Sequence, residues 1–95
     1  MFTGIIQALG SIQEIHSSSE GAQLKINSNT MDLKDTSVGD SIAVNGVCLT
    51  VTKKSKEEIS FDVIKETLRS TNLSRLNQLD EVNMERSLKF GDEMG

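Results

Sequence analysis

The sequence predicts an all-β fold, a small closed Greek-key barrel of about six antiparallel strands with one short helix. Three observations lead there. Short stretches alternate apolar and polar residues at a period of two, turn signals at Glu20-Gly21, Gly39-Asp40 and Asn45-Gly46 separate them, and the chain contains no proline to break them. Closure is expected over an open sandwich because it removes exposed strand edges.

Taken in order, Phe2 to Ile12 reads as a long first strand, with Gly4 and Gly10 as the points where it turns a barrel corner. Ala22, Leu24 and Ile26 alternate with Gln23, Lys25 and Asn27, a half-buried second strand. Asn45-Gly46 then joins Ser41–Val44 to Val47–Thr52, and both turn residues tolerate the positive φ that a two-residue type I′ hairpin requires. That turn sets Val44 opposite Val47, Ala43 opposite Cys48 and Ile42 opposite Leu49. Lys54–Glu58 is a charged break, and Lys53–Glu58 as a whole reads as a solvated turn.

In the strand Ile59–Lys65, pairing apolar with apolar puts Val51 opposite Phe61 and Leu49 opposite Val63. Thr50 then faces Asp62, and Thr52 faces Ser60. Two faces result. Ile42, Val44, Val47, Leu49, Val51, Ile59, Phe61 and Val63 form the core side, and Ala43, Cys48, Thr50, Thr52, Ser60, Asp62 and Ile64 form a half-polar outer side. Glu66–Gln78 carries Leu68, Leu73 and Leu76 among polar residues and predicts a short helix capped by Thr67 or Ser70. Val82 and Met84 alternate with Asn83 and Glu85 in a last strand.

Residues 1–95 are expected to form a single domain, since a chain of this length supports one modest core. A net charge of -4 and the lack of a Lys/Arg cluster argue against nucleic acid, whose phosphates are held by many basic contacts. Three Phe with no Trp or Tyr leave few platforms for stacking bases. One cysteine, Cys48, excludes an internal disulfide and fits a reducing cytoplasm, and no apolar run approaches the ~20 residues that cross a bilayer. No membrane partner is expected.

A barrel this small is filled by its own side chains, so a ligand of pteridine size has to sit outside it. The face carrying Cys48, Thr50, Asp62 and Ile64 offers hydroxyl and carboxylate groups for a polyol beside apolar area for a ring. Taken singly, each of these has a plainer reading. Cys48 is a space-filling strand residue with no His near it in sequence, and Thr50, Thr52, Ser60 and Asp62 are solvent-facing. His16, in the polar run with Ser17, Ser18 and Ser19, has no metal-ligand spacing to any partner, and no Walker, Rossmann, zinc or triad pattern is present.

More specific are the opening Met1-Phe2-Thr3-Gly4-Ile5-Ile6, the block from Gly39 to Thr52, Phe61-Asp62-Val63, and Lys65-Glu66-Thr67-Leu68. With Thr71-Asn72-Leu73 and Val82–Arg86, these blocks resemble riboflavin synthase, in its N-terminal barrel, from Met1 to Gly95. One departure is Leu79 before Asp80, where the family usually has Gly. The resemblance implies a chain of two similar barrels and a C-terminal helix, assembled as a homotrimer in which the N-barrel of one subunit faces the C-barrel of another. A chain ending at Met94-Gly95, before the family's linker, is then expected to be half of that enzyme.

The implied reaction passes a four-carbon unit between two molecules of 6,7-dimethyl-8-ribityllumazine, giving riboflavin and a ribitylamino-pyrimidine without metal or redox cofactor. Holding the two rings face to face supplies ~7 to 11 kcal/mol at best. By resemblance the ligand contacts fall on Gly4, Ile5 and Ile6, on Cys48, Leu49 and Thr50, and on Asp62, Val63, Ile64, Lys65, Glu66 and Thr67. In that picture Gly4 lets the backbone approach the ring, Thr50 bonds its edge, Asp62 and Thr67 hold the ribityl hydroxyls, and Cys48 is the candidate participant in the chemistry. A single barrel is expected to bind with little or no turnover and to pair as a homodimer that covers its open shelf. The competing functions are a non-catalytic lumazine- or flavin-carrying protein of the same fold and a bare structural barrel with no ligand.

Overall fold

The period-two alternation organises nearly everything in the computed structural model, which describes residues 8–29, 33 and 36–86. Six strands run β1 (Ala8–Ser18), β2 (Gly21–Asn27), β3 (Ser41–Val44), β4 (Val47–Lys54), β5 (Glu58–Ile64) and β6 (Glu81–Arg86). They pair antiparallel in the closed order β1-β2-β5-β4-β3-β6. A short helix α1 (Lys65–Ser70) and a 3-10 turn (Asn72–Arg75) link β5 to β6.

The hairpin expected at Asn45-Gly46 forms as the turn chemistry dictates, with φ of 50° at Asn45 and 83° at Gly46. Its register is Val44 with Val47, Ala43 with Cys48 and Ile42 with Leu49. Asn45 also ties this turn to the neighbouring strand, its Oδ1 accepting from Asn83 N at 2.8 Å and its N–H donating to Asn83 O at 2.8 Å.

β1 runs further than its composition suggests. The polar residues His16, Ser17 and Ser18 are strand because each backbone pairs with β2, at Gln23, Ala22 and Gly21. Ladder hydrogen bonds are indifferent to side-chain polarity, so a partner with a firm apolar pattern carries a polar segment along. At Ser11, one residue past Gly10, β1 changes partner from β6 to β2. That is the corner expected near Gly10; Gly4 and the rest of the expected strand before Ala8 lie outside the described residues.

The β4–β5 ladder begins at Val51, so the expected pairs Leu49–Val63 and Thr50–Asp62 are not part of it, and its register departs from expectation at Thr52 as well. Val51 faces Phe61 as expected, but Lys53 rather than Thr52 faces Ser60, because Thr52 is the extra residue of a β-bulge. Its Oγ1 donates to Ser60 O at 3.2 Å. Ser60, expected on the solvent side, is buried at 6% exposure. The charged break shortens to Ser55–Glu57, and Lys54 belongs to β4, its ammonium bonded to Leu33 O at 3.0 Å and Thr36 O at 2.5 Å.

The single helix expected over Glu66–Gln78 is instead α1 followed by the 3-10 turn. Neither Thr67 nor Ser70 caps α1, whose N-cap position is Ile64 with no side-chain bond. Ser70 Oγ bonds back to Glu66 O at 2.9 Å and Thr71 Oγ1 to Thr67 O at 2.7 Å, while Thr71 accepts from Leu73 N and so caps the second turn. Hydroxyls at the end of α1 thus bond carbonyls four residues earlier, which competes with continuing the helix.

Phe61, Ile12, Leu24, Ile26, Ile42, Ile59, Val44, Val51, Val82 and Met84 are all 1% exposed or less and fill the barrel from end to end. Seven of the eight residues assigned to the core side from pairing are buried, and Val47 is half-buried against them. With the interior occupied by side chains, the outer wall is the surface left open to a ligand.

Candidate ligand-binding site

The outer wall carries the residues that the pairing argument singled out. Val51 and Phe61 face each other with both side chains buried, so their neighbours Thr50 and Asp62 project outward from adjacent strands, and both are exposed. Cys48 lies on the same wall, exposed and unbridged, two residues before Thr50 and paired with Ala43. Ile64, two residues past Asp62, is 63% exposed, an uncommon state for so large an apolar side chain. Ala43 differs from its neighbours on this wall: it is only 6% exposed.

Leu49 and Val63 turn their side chains into the core, at 5% and 2% exposure, so only their backbone groups are available to a ligand. Lys65 and Glu66 open α1 with exposed side chains, and Thr67 is half-buried behind them. Gly4, Ile5 and Ile6 lie outside the described residues.

Beside this shelf, the ends of β1, β2 and β5 enclose an open cleft of about 440 Å³, lined by Asp62, Val63 and Ile64 together with His16, Ser17, Ser18, Glu20, Gly21, Ala22 and Gln23. That volume lies within the ordinary range of small-molecule sites. Cross-strand register builds it. Gln23 faces Asp62, and its Nε2 donates to Asp62 Oδ1 at 3.4 Å, while Gly21 faces Ile64. Only glycine fits at position 21: φ is +151°, and a Cβ there would lie 2.0 Å from Val63 O. Lys65 N donates to Glu20 O at 3.0 Å, which fastens the tip of the β1–β2 hairpin to the start of α1.

The hairpin wall was not singled out in the sequence. Its Ser and His residues have turn-like composition, and the pairing that brings them to Asp62 joins β2 to β5 across an intervening hairpin. The one available signal was the alternation of Gln23 with Ala22 and Leu24, which fixed the outward direction of Gln23 without naming its neighbour.

The clearest electrostatic feature lies further along the hairpin. Glu14 is held below its ordinary pKa, first by the hydrogen bond from Lys25 at 3.1 Å and then by His16 at 3.1 Å. Lys25 is raised in turn, chiefly by Glu14. Among the described residues no three His, Cys, Asp or Glu side chains are grouped to hold a metal ion, and no helix is long and apolar enough to cross a membrane.

A closed antiparallel six-stranded barrel with a filled interior and a mixed apolar and polar outer wall defines a small antiparallel β-barrel domain. Its family follows from comparison. The chain belongs to the lumazine binding domain family, whose model matches residues 3–87. Riboflavin synthase of Actinobacillus pleuropneumoniae is 46% identical over the whole chain, which covers 44% of that protein. The riboflavin synthases of Escherichia coli (strain K12) and Bacillus subtilis (strain 168) are 42% and 40% identical, again over the whole chain, which covers 45% and 44% of them. The chain thus spans a little under half the length of these relatives. Solved structures of LumP complexed with 6,7-dimethyl-8-(1'-D-ribityl) lumazine and with riboflavin each superimpose with a TM-score of 0.83, at 28% and 30% identity. Each covers the whole of this chain, which spans 52% and 51% of theirs.

Proposed function

We propose that this barrel binds 6,7-dimethyl-8-ribityllumazine or riboflavin on its outer wall and serves as the N-terminal half of a riboflavin synthase. The observation that carries the reading is the joint projection of Cys48, Thr50, Asp62 and exposed Ile64 from β4 and β5, over a barrel with no interior space. An apolar side chain beside hydroxyl, thiol and carboxylate suits a heterocycle with a polyol tail. Ile64 and the backbone of Leu49 and Val63 lie under the ring, Thr50 bonds its edge, Asp62 and Thr67 take tail hydroxyls, and Cys48 stands nearest the chemistry. Gly4, Ile5 and Ile6 complete the ring's contacts, and Lys65 and Glu66 border the tail.

In the whole enzyme one lumazine rests on each barrel of a facing pair, and the four-carbon unit passes between them without metal or redox cofactor. Alignment of the two rings supplies the main acceleration. A single barrel holds one ring, so it binds and turns over little. It pairs as a homodimer, covering Ile64, while the two-barrel protein forms a homotrimer in the cytoplasm. The placement of β2 beside β5 rather than β3 supports the Greek-key connectivity. The second reading, a non-catalytic carrier of lumazine or flavin, is favoured by the likeness to LumP. Identities of 40 to 46% to riboflavin synthases, against 28 to 30% to LumP, favour the enzyme lineage.

The test is turnover of 6,7-dimethyl-8-ribityllumazine by the chain alone and after addition of a C-terminal barrel. The expected result is negligible riboflavin formation alone and a rise on addition. Fluorescence titration showing no interaction with either ligand, at protein concentrations of hundreds of micromolar, would leave the bare structural barrel instead.

A further inference from the structure

We infer that Asn45 is a latent site of covalent self-modification, converted through a cyclic imide to aspartate and isoaspartate, and that the turn it occupies holds this conversion in check. Two features make the position reactive. Glycine follows it, and with no Cβ a glycine offers the least hindered amide nitrogen to the preceding side chain. Gly46 is also exposed, a side chain placed there would meet nothing within 4 Å, and among the described residues nothing accepts a hydrogen bond from its N–H. Two other asparagines lack that freedom. After Asn27 the Ser28 N–H donates to Glu57 O at 2.7 Å, and after Asn72 the Leu73 N–H donates to Thr71 Oγ1 at 3.2 Å.

The step needs only water. The Gly46 nitrogen, giving its proton to solvent, forms a bond to Cγ of Asn45; the Cγ–Nδ2 bond breaks, and Nδ2 takes up a proton and leaves as ammonia. Water then opens the five-membered imide at either of its carbonyls, which gives aspartate at one and isoaspartate at the other. One water is consumed and one ammonia released, and each product adds one negative charge to the chain's net -4.

The fold opposes the first bond. φ of 50° at Asn45 and 83° at Gly46 belong to a type I′ turn, in which the Gly46 nitrogen lies across the Cα–C bond from the Asn45 side chain. The side chain is fixed as well, since Oδ1 accepts from Asn83 N and Asn45 N donates to Asn83 O, both at 2.8 Å. Bringing Cγ to the Gly46 nitrogen therefore requires the hairpin tip to detach from β6, and conversion proceeds from that opened fraction. Isoaspartate carries the main chain through the former side chain, one methylene longer. It no longer forms the two-residue turn that sets Ala43 opposite Cys48 and Ile42 opposite Leu49. Aspartate keeps a side-chain oxygen for Asn83 N, and with it the turn.

The experiment incubates the chain at 37 °C and pH 8, folded and in 6 M guanidinium chloride, and follows each asparagine by peptide mass spectrometry, with isoaspartate identified by electron-transfer fragmentation. In denaturant Asn45 is expected to convert first of the six asparagines. In the folded chain its rate is expected to fall about tenfold or more, because both bonds to Asn83 must break first. Val47→Ala trims a half-buried residue of the hairpin and leaves the Asn-Gly pair intact. It should speed conversion several-fold in the folded chain and leave the rate in denaturant unchanged, with circular dichroism checking that the variant keeps its barrel. The isoaspartate form, separated by ion exchange, should melt below both the parent and Asn45→Asp. Equal rates with and without denaturant, or a folded Val47→Ala rate equal to the parent's, would overturn the gate. Another asparagine converting first in denaturant would overturn the choice of site, and an isoaspartate form as stable as Asn45→Asp would overturn the role given to the turn.

Discussion

Leu79 offers a test in which one residue's backbone decides the sign of the effect. The turn it occupies closes the barrel between β1 and β6: Leu79 N donates to Ile12 O at 2.8 Å, Ile12 N to Asp80 O at 2.9 Å, and Asn77 N to Asp80 Oδ2 at 2.8 Å. The hydrogen bonds force Leu79 to φ of 74°, a left-handed conformation that costs a residue with a branched side chain about 1–2 kcal/mol. Packing gives little back, since the side chain is 72% exposed. Replacing it with Gly removes the strain but raises the entropy of the unfolded chain, a loss of about 0.5–1 kcal/mol. The net expectation for Leu79→Gly is a gain of about 0.5–1 kcal/mol, or about 2–8 °C in Tm for a domain of this size. Leu79→Asn should fall between, because Asn tolerates the same region at smaller cost. Thermal unfolding by circular dichroism reads both. A Tm for Leu79→Gly at or below that of the parent would refute the strain argument and require an unrecognised contact for the leucine side chain.

Three other outcomes are expected. Gly21→Ala should destabilise by about 1–3 kcal/mol in urea titration, because the added Cβ would lie 2.0 Å from Val63 O at φ of +151°, and riboflavin affinity should fall with it. Glu14, whose folded pKa is lowered by Lys25 and His16, contributes stability that is present above its ordinary value of 4.5 and lost as pH falls through the lowered folded value. Glu14→Gln should therefore reduce the dependence of Tm on pH below about 4.5 and leave the parent's slope near neutrality unchanged. Cys48 is exposed and unbridged, so an aromatic disulfide reagent should titrate one thiol in the native protein, and saturating riboflavin should slow that reaction several-fold if the ring covers β4.

Much of the barrel was legible because its local rules agree. Asn45-Gly46 fixes a turn, the turn fixes a register, and the register sorts Ile42, Val44, Leu49 and Val51 to one side. What escaped depends on non-local balance. Nothing in the sequence around Thr52 distinguishes a bulge from regular pairing, because both bring Val51 to Phe61, and the choice is made by how Lys53 and Lys54 meet Ser60 and Ile59. The caps were misplaced for a related reason: Thr67, Ser70 and Thr71 all carry a hydroxyl able to bond a nearby backbone group, and geometry alone decides that Thr71 is the cap. Cys48, Thr50, Asp62 and Ile64 were legible as outward-facing residues because each alternates with a buried neighbour on β4 or β5. The Ser17, Ser18 and Gln23 wall was not, since it reaches Asp62 only through the long-range pairing of β2 with β5.

The most direct measurement is a ¹H–¹⁵N NMR titration of the chain with riboflavin. Amide shifts concentrated at residues 48–50 and 62–67 and at Gln23, with Lys53–Glu58 on the far end of the same strands unmoved, are what the outer-wall assignment predicts. Perturbations confined to that far end, or spread through buried positions such as Phe61 and Met84, would contradict it.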